Sequence, residues 1–124
     1  MSGGGESEVL NPVQVELTIQ QLVKQITHGV KVVSERHRAK LTADRIYDHA
    51  FAVAYMAHEG PQTEKKYAAE KATQQERTNR DIAEVAYQHA VRQMRALEGQ
   101  LSAFQTISKS IQQMYGAAGS GRGQ

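Results

Sequence analysis

The sequence predicts an all-α protein: a long antiparallel helical hairpin, coiled-coil-like, that assembles with copies of itself into a bundle. Three observations carry this. Between Ala83 and Tyr115 the positions Ala83, Tyr87, Ala90, Met94, Leu97, Leu101, Phe104, Ser108, Ile111 and Tyr115 alternate in steps of four and three, and only Ser108 is not apolar. Such a repeat returns one side of a helix to the same face every seven residues. No stretch alternates apolar and polar residues as a half-buried strand would. Finally, Glu59-Gly60-Pro61 is the clearest break in otherwise helix-compatible sequence.

Taken in order, residues 1–11 read as a flexible leader, because Gly3, Gly4 and Gly5 cost too much entropy to order alone. Asn11-Pro12 is a helix start, with Asn as N-cap and Pro at the first helical position. Val15, Ile19, Leu22, Ile26, Val30 and Val33 then form a helical stripe, which Leu17 and Val23 widen. Gly29 interrupts the pattern and costs about 1 kcal/mol relative to Ala, which points to close packing or a slight bend. A polar stretch runs from Ser34 to Lys40. Thr42 can open a new helix or sit inside a continuous one, so the arm 12–58 is either a single helix or is broken near 40–42, giving three helices in all. Ala43, Tyr47, Ala50, Ala54 and Ala57 continue the stripe with Ile46, Phe51 and Val53 beside it.

At the corner, Gly60 suits the left-handed position past a helix end, and Pro61 can open the next helix. The turn is placed at 59–61 and the hairpin domain at 12–115. Residues 73–81 are polar all round, which suits a solvated bridge or a hinge. The heptad stripe follows. Gly116 is expected to end it, leaving 116–124 as a Gly-rich disordered tail. If the arms fold back at Gly60, each residue faces its mirror about position 60, and Lys40 faces the region of Arg80.

Bulk composition supports assembly. Only 40% of residues are apolar, many of them Ala, and there is no Trp, so the core is thin for 124 residues. Two helices leave the outer side of the 83–115 stripe half covered, and a dimer making four helices would cover it. There is no cysteine, which removes disulfides, thiolate catalysis and Cys-based zinc sites. No run approaches the roughly 18 apolar residues of a membrane span, and the first residues carry no apolar signal region. The expected location is the cytoplasm, or the inside of something assembled there; no membrane partner is expected.

Candidate chemistry is sparse. Asp44 and Asp48 share a helix face beside His49, but neither Glu59 nor Glu84 has the His three residues on that a di-metal carboxylate bundle uses. His37 and His89 flank the stripes as boundary residues. No phosphate-cradling loop or nucleophile elbow occurs. The sequence therefore predicts no catalytic residues, cofactor, metal or small-molecule substrate, and a non-enzymatic role. Basic residues provide the one functional signal. Lys31, Arg36, Arg38, Lys40 and Arg45 crowd one half-arm beside His37, and Arg77 and Arg80 punctuate the other. These are the candidate nucleic-acid contacts, since long cationic side chains along a helix can track a phosphate backbone. The competing reading pairs them with Glu35, Asp44, Asp48, Glu76 and Asp81 on a solvated face.

Four stretches carry a family likeness: Ile26-Thr-His-Gly-Val-Lys-Val-Val-Ser-Glu-Arg36, Ala57-His-Glu-Gly-Pro61, Ala83-Glu-Val-Ala-Tyr87 and Met114-Tyr-Gly-Ala117. Across roughly 12–118 the chain resembles small helical proteins of unassigned role encoded by bacteriophages of actinobacteria. The resemblance implies an accessory role in DNA recombination or replication and transfers no site residues. The alternative is a virion structural or assembly protein, or a host-directed inhibitor, that presents a helix to a protein partner.

Overall fold

Backbone is described for residues 11–122, and side chains through 116, in a computed structural model of the chain. The expected leader, apart from Asn11, lies outside the described residues, as do the last two residues of the expected tail. Three helices follow one another: α1 (Pro12–Ala57), α2 (Gln62–Ala72) and α3 (Gln74–Arg122). Among the described residues there is no strand, and the fold is an all-α helical hairpin.

The start of α1 is as expected. Asn11 Oδ1 accepts from the backbone N–H of Val13 at 2.8 Å and of Gln14 at 3.4 Å, supplying partners that the first turn lacks. The helix runs through 40–42 without a break, since no Gly or Pro lies there to stop propagation.

The second arm is two helices rather than one. Thr73 separates them at φ −114° and ψ 24°. Its hydroxyl donates to the Ala69 carbonyl at 2.7 Å, its own N–H bonds the same carbonyl at 3.1 Å, and its carbonyl accepts from Arg77 N–H at 3.0 Å. Thr73 is thus held on both sides of the bend, which is the distortion expected of a Thr bonding back to the preceding turn. Ala69 and Thr73 are both fully buried there, at 0% and 2% exposure.

Gly60 does not take a left-handed conformation, and no described glycine does. The reason for glycine at the corner is space. A Cβ on Gly60 would lie 2.5 Å from His58 Nε2 and 3.2 Å from its Cε1. Gly116 does not end α3 either: the helix continues to Arg122 instead of giving way to the expected tail. Extending a formed helix needs no new nucleus, and each glycine costs only about 1 kcal/mol.

Two compact units make up the chain, and each contains a stretch of α1 against a stretch of α3. The first comprises described residues 11–30 and 93–122. Here Val15 and Leu22 are the buried residues of α1. Met94 fills the space left by Gly29, where a Cβ would stand 2.8 Å from its Cε. Ile19 borders a shallow groove with Ser102 and Gln105, so the helices run antiparallel. Leu97, Leu101, Phe104, Ser108 and Ile111 are half-buried as the heptad requires, while Tyr115 is 64% exposed. On α1 the inward position falls on Gly29 rather than Val30, which is 58% exposed; Leu17 and Val23 also face outward. An apolar side chain was the wrong guide at that step, because only Gly29 keeps the seven-residue return from Leu22.

Residues Lys31–Arg92 form the second unit. Ala83 and Tyr87 are half-buried and Ala90 is buried on α3, and Ala43, Tyr47, Ala50 and Ala54 are half-buried on α1. Ala57, by contrast, is exposed. The chain reverses at the corner, and Lys65 of α2 reaches the Tyr55 ring, 5.8 Å from its centroid.

Candidate functional site

Between Val33 and Ala43 the inward seam of α1 has no apolar residue, and charged groups occupy the gap. Lys40 is half-buried and bridges Asp44 Oδ2 at 3.1 Å and Glu84 Oε1 at 3.4 Å. Hydrogen bonds to Asp44 and then to Glu84 hold its ammonium above the usual lysine range, outweighing partial desolvation. Glu84 is held below the usual carboxylate range, first by the hydrogen bond from Gln88 Nε2 at 2.9 Å and then by Lys40. One helical turn away the His37 ring packs on Tyr87, centroids 5.1 Å apart. A charged or polar layer inside an otherwise apolar seam fixes which residues face each other.

Within that layer Lys40 meets α3 one helical turn beyond Arg80, the region expected to face it. Lys40 faces Glu84, and Arg80 lies over the Tyr47 ring at 4.4 Å from its centroid, beside Asp81 at 3.5 Å. Arg38 shares an open groove with Glu76 and Asn79 of α3, the residues beside Arg77 and Arg80. Lys40 and Arg80 are committed to packing within the fold.

The other candidate cations remain outside. Lys31, Arg36, Arg38, Arg45 and Arg77 are all exposed. None of the ion pairs among the described residues involves them. Arg45 Nε donates only to the Leu41 carbonyl, at 3.3 Å. Lys31, Arg38 and Arg45 are spaced by seven residues and so line one edge of α1, about 10 Å apart along the helix.

Tyr47, Phe51 and Tyr55 form an aromatic ladder on α1 with centroid spacings of 6.0 and 6.3 Å. Sequence reasoning placed Tyr47 and Phe51 near the stripe but missed the cations that cap the ladder, Arg80 and Lys65. It also missed His58, whose Nε2 is buried at the corner without a hydrogen bond among the described residues, 4.0 Å from Glu64 Oε1. Its place beside Gly60-Pro61 was the available signal. His89 is exposed.

No group of three His, Asp or Glu side chains among the described residues is arranged to hold a metal ion, and Asp44 is engaged by Lys40 rather than by Asp48 or His49. No described helix is long and apolar enough to cross a membrane. Comparison of the chain with protein-family models, curated proteins and solved structures gives no match.

Proposed function

We propose that the chain is a non-enzymatic helical interaction protein that contacts a nucleic-acid backbone, serving as an accessory to DNA recombination or replication in a phage-infected cell. The observation that supports this reading is the line of Lys31, Arg38 and Arg45 along α1, exposed and outside every described ion pair, with Arg36 and Arg77 as further outward cations. Folding uses Lys40 and Arg80 but leaves these five to the solvent. Cations at regular intervals along a helix meet phosphates without reading bases, so the expected binding is sequence-independent and weakened by salt.

Fluorescence anisotropy with single- and double-stranded DNA at two salt concentrations tests the reading. Replacing Lys31, Arg38 and Arg45 together with Ala should weaken binding across all sequences. If each cation meets one phosphate, it should also flatten the log–log salt dependence for duplex DNA by about 3. Absence of binding at low salt removes the proposal.

A second reading, a virion assembly protein or host-directed inhibitor, is favoured by apolar groups left outside. Met56, Tyr67, Ile82 and Val85 are 63–78% exposed. Detection of the chain in purified particles would support that reading over the first.

A further inference from the structure

We propose that His58 and Glu64 form a proton-operated latch across the corner, open when the imidazole is neutral and closed when it is charged. The inference concerns the second unit alone and does not depend on nucleic acid. His58 Nε2 is buried at the corner and has no hydrogen-bond partner among the described residues. In a neutral ring that nitrogen is either an N–H without an acceptor or a lone pair without a donor, and each arrangement costs free energy. Gly60 accounts for the burial. A Cβ there would stand 2.5 Å from Nε2, 3.2 Å from Cε1 and 3.3 Å from Cδ2, so this edge of the ring lies against the glycine.

Glu64 Oε1 stands 4.0 Å from Nε2, beyond hydrogen-bond range. The backbone of Glu64 is anchored to the corner, because its N–H donates to the Pro61 carbonyl at 3.0 Å. Its side chain is 61% exposed and can swing inward by the roughly 1 Å that a charge-assisted bond needs. Protonation makes Nε2 a donor facing that carboxylate, and the orphaned nitrogen gains its partner.

The helix ends favour the closed form. α1 stops at Ala57 with no basic side chain in its last turn, so a charged His58 just past the end meets carbonyls that lack a cation. Glu64 is the acidic residue in the first turn of α2, where free amides favour a negative charge and Pro61 supplies no side-chain cap. The latch thus ties the negative end of one helix to the positive end of the next, each through a residue of opposite sign. Of the other charged groups at the corner, Glu59 is exposed and Lys65 of α2 reaches the Tyr55 ring. Among the described residues no charged group of α3 pairs with His58. Because the closed form needs the proton, its contribution is present below the ordinary imidazole range near pH 6.5 and is lost as pH rises through it.

The test is urea unfolding of the full chain at about pH 8 and about pH 5.5, on either side of that range. Between the two, the folded-to-unfolded ratio of the natural chain should rise about five-fold more than that of Glu64→Gln. His58→Gln, alone or combined with Glu64→Gln, should respond to pH as Glu64→Gln does. The other four histidines, His28, His37, His49 and His89, are exposed and present in the natural chain and in Glu64→Gln alike, so their effect cancels in that comparison. A ring that only fills space would make His58→Gln less stable by the same factor at both pH values. Glu64→Gln changes an exposed side chain and decides the matter if His58→Gln fails to fold. An equal pH response in the natural chain and Glu64→Gln, or a His58→Gln deficit that does not change with pH, overturns the proposal.

Discussion

Replacing three glycines by Ala, one at a time, separates the roles that the structure gives them. Gly99 sits inside α3 with no atom within 4 Å of where a Cβ would stand. Gly99→Ala therefore gains helix propensity and loses nothing, for a stabilisation of about 1 kcal/mol, or on the order of 5 °C in Tm. Gly29 lies inside α1 and has the same propensity gain. Its new methyl would stand 2.8 Å from Met94 Cε and 3.5 Å from Sδ. That thioether end is flexible and can turn aside, at the loss of some packing, so the net gain falls to between zero and about 0.5 kcal/mol. Gly60 is in the corner and has no helix propensity to gain. A methyl there would stand 2.5 Å from His58 Nε2 and would push out a half-buried ring, destabilising the fold by about 1–2 kcal/mol. Thermal and urea unfolding, followed by circular dichroism at fixed protein concentration, give the order Gly99→Ala above Gly29→Ala above Gly60→Ala. Finding Gly60→Ala neutral, or Gly29→Ala more stable than Gly99→Ala, would refute the packing described around Met94 and His58.

Leu22→Ala removes one of the few buried side chains of the first unit and should cost about 2–3 kcal/mol, seen as a lower urea midpoint. Asn11→Ala removes the acceptor for Val13 and Gln14 N–H and should cost about 1 kcal/mol, with the loss read as faster amide exchange in the first turn of α1. The Lys40 network makes stability depend on pH at both ends. Lys40 is raised when folded, so its contribution is complete below about pH 10.4 and fades as pH climbs through the higher folded value. Glu84 is lowered when folded, so its contribution is complete above about pH 4.3 and fades as pH falls through the lower folded value. Denaturant titrations of the natural chain and Lys40→Met should differ most between these limits and converge outside them. A difference independent of pH would mean that the ammonium plays no part.

How far the fold could be read in advance depended on whether the controlling feature was local. Asn11-Pro12 and the stripe from Ala83 to Ile111 could be read directly, because a cap and a seven-residue repeat are properties of one segment. The inward turn at Gly29 could not, because hydropathy favoured Val30 and the choice was made by Met94, far along the chain. Gly60 was read as a conformational need when it answers to the bulk of His58. The candidate basic site was half legible. Charge type and exposure of Lys31, Arg38 and Arg45 follow from the helix pattern. The capture of Lys40 by Glu84 and of Arg80 by Tyr47 depends on how α1 and α3 pair, and no local signal encodes that register.

Because backbone bonds tie Thr73 to Ala69 on one side of the bend and to Arg77 on the other, the length of chain between Pro61 and Ala83 acts as an angular gauge. Each residue inserted or deleted there would swing Ala83, Tyr87 and Ala90 by about 100° and carry Glu84 away from Lys40. Side chains in this segment can vary freely at exposed positions, while its residue count cannot drift, except by whole sevens, without turning the oily edge of α3 toward water.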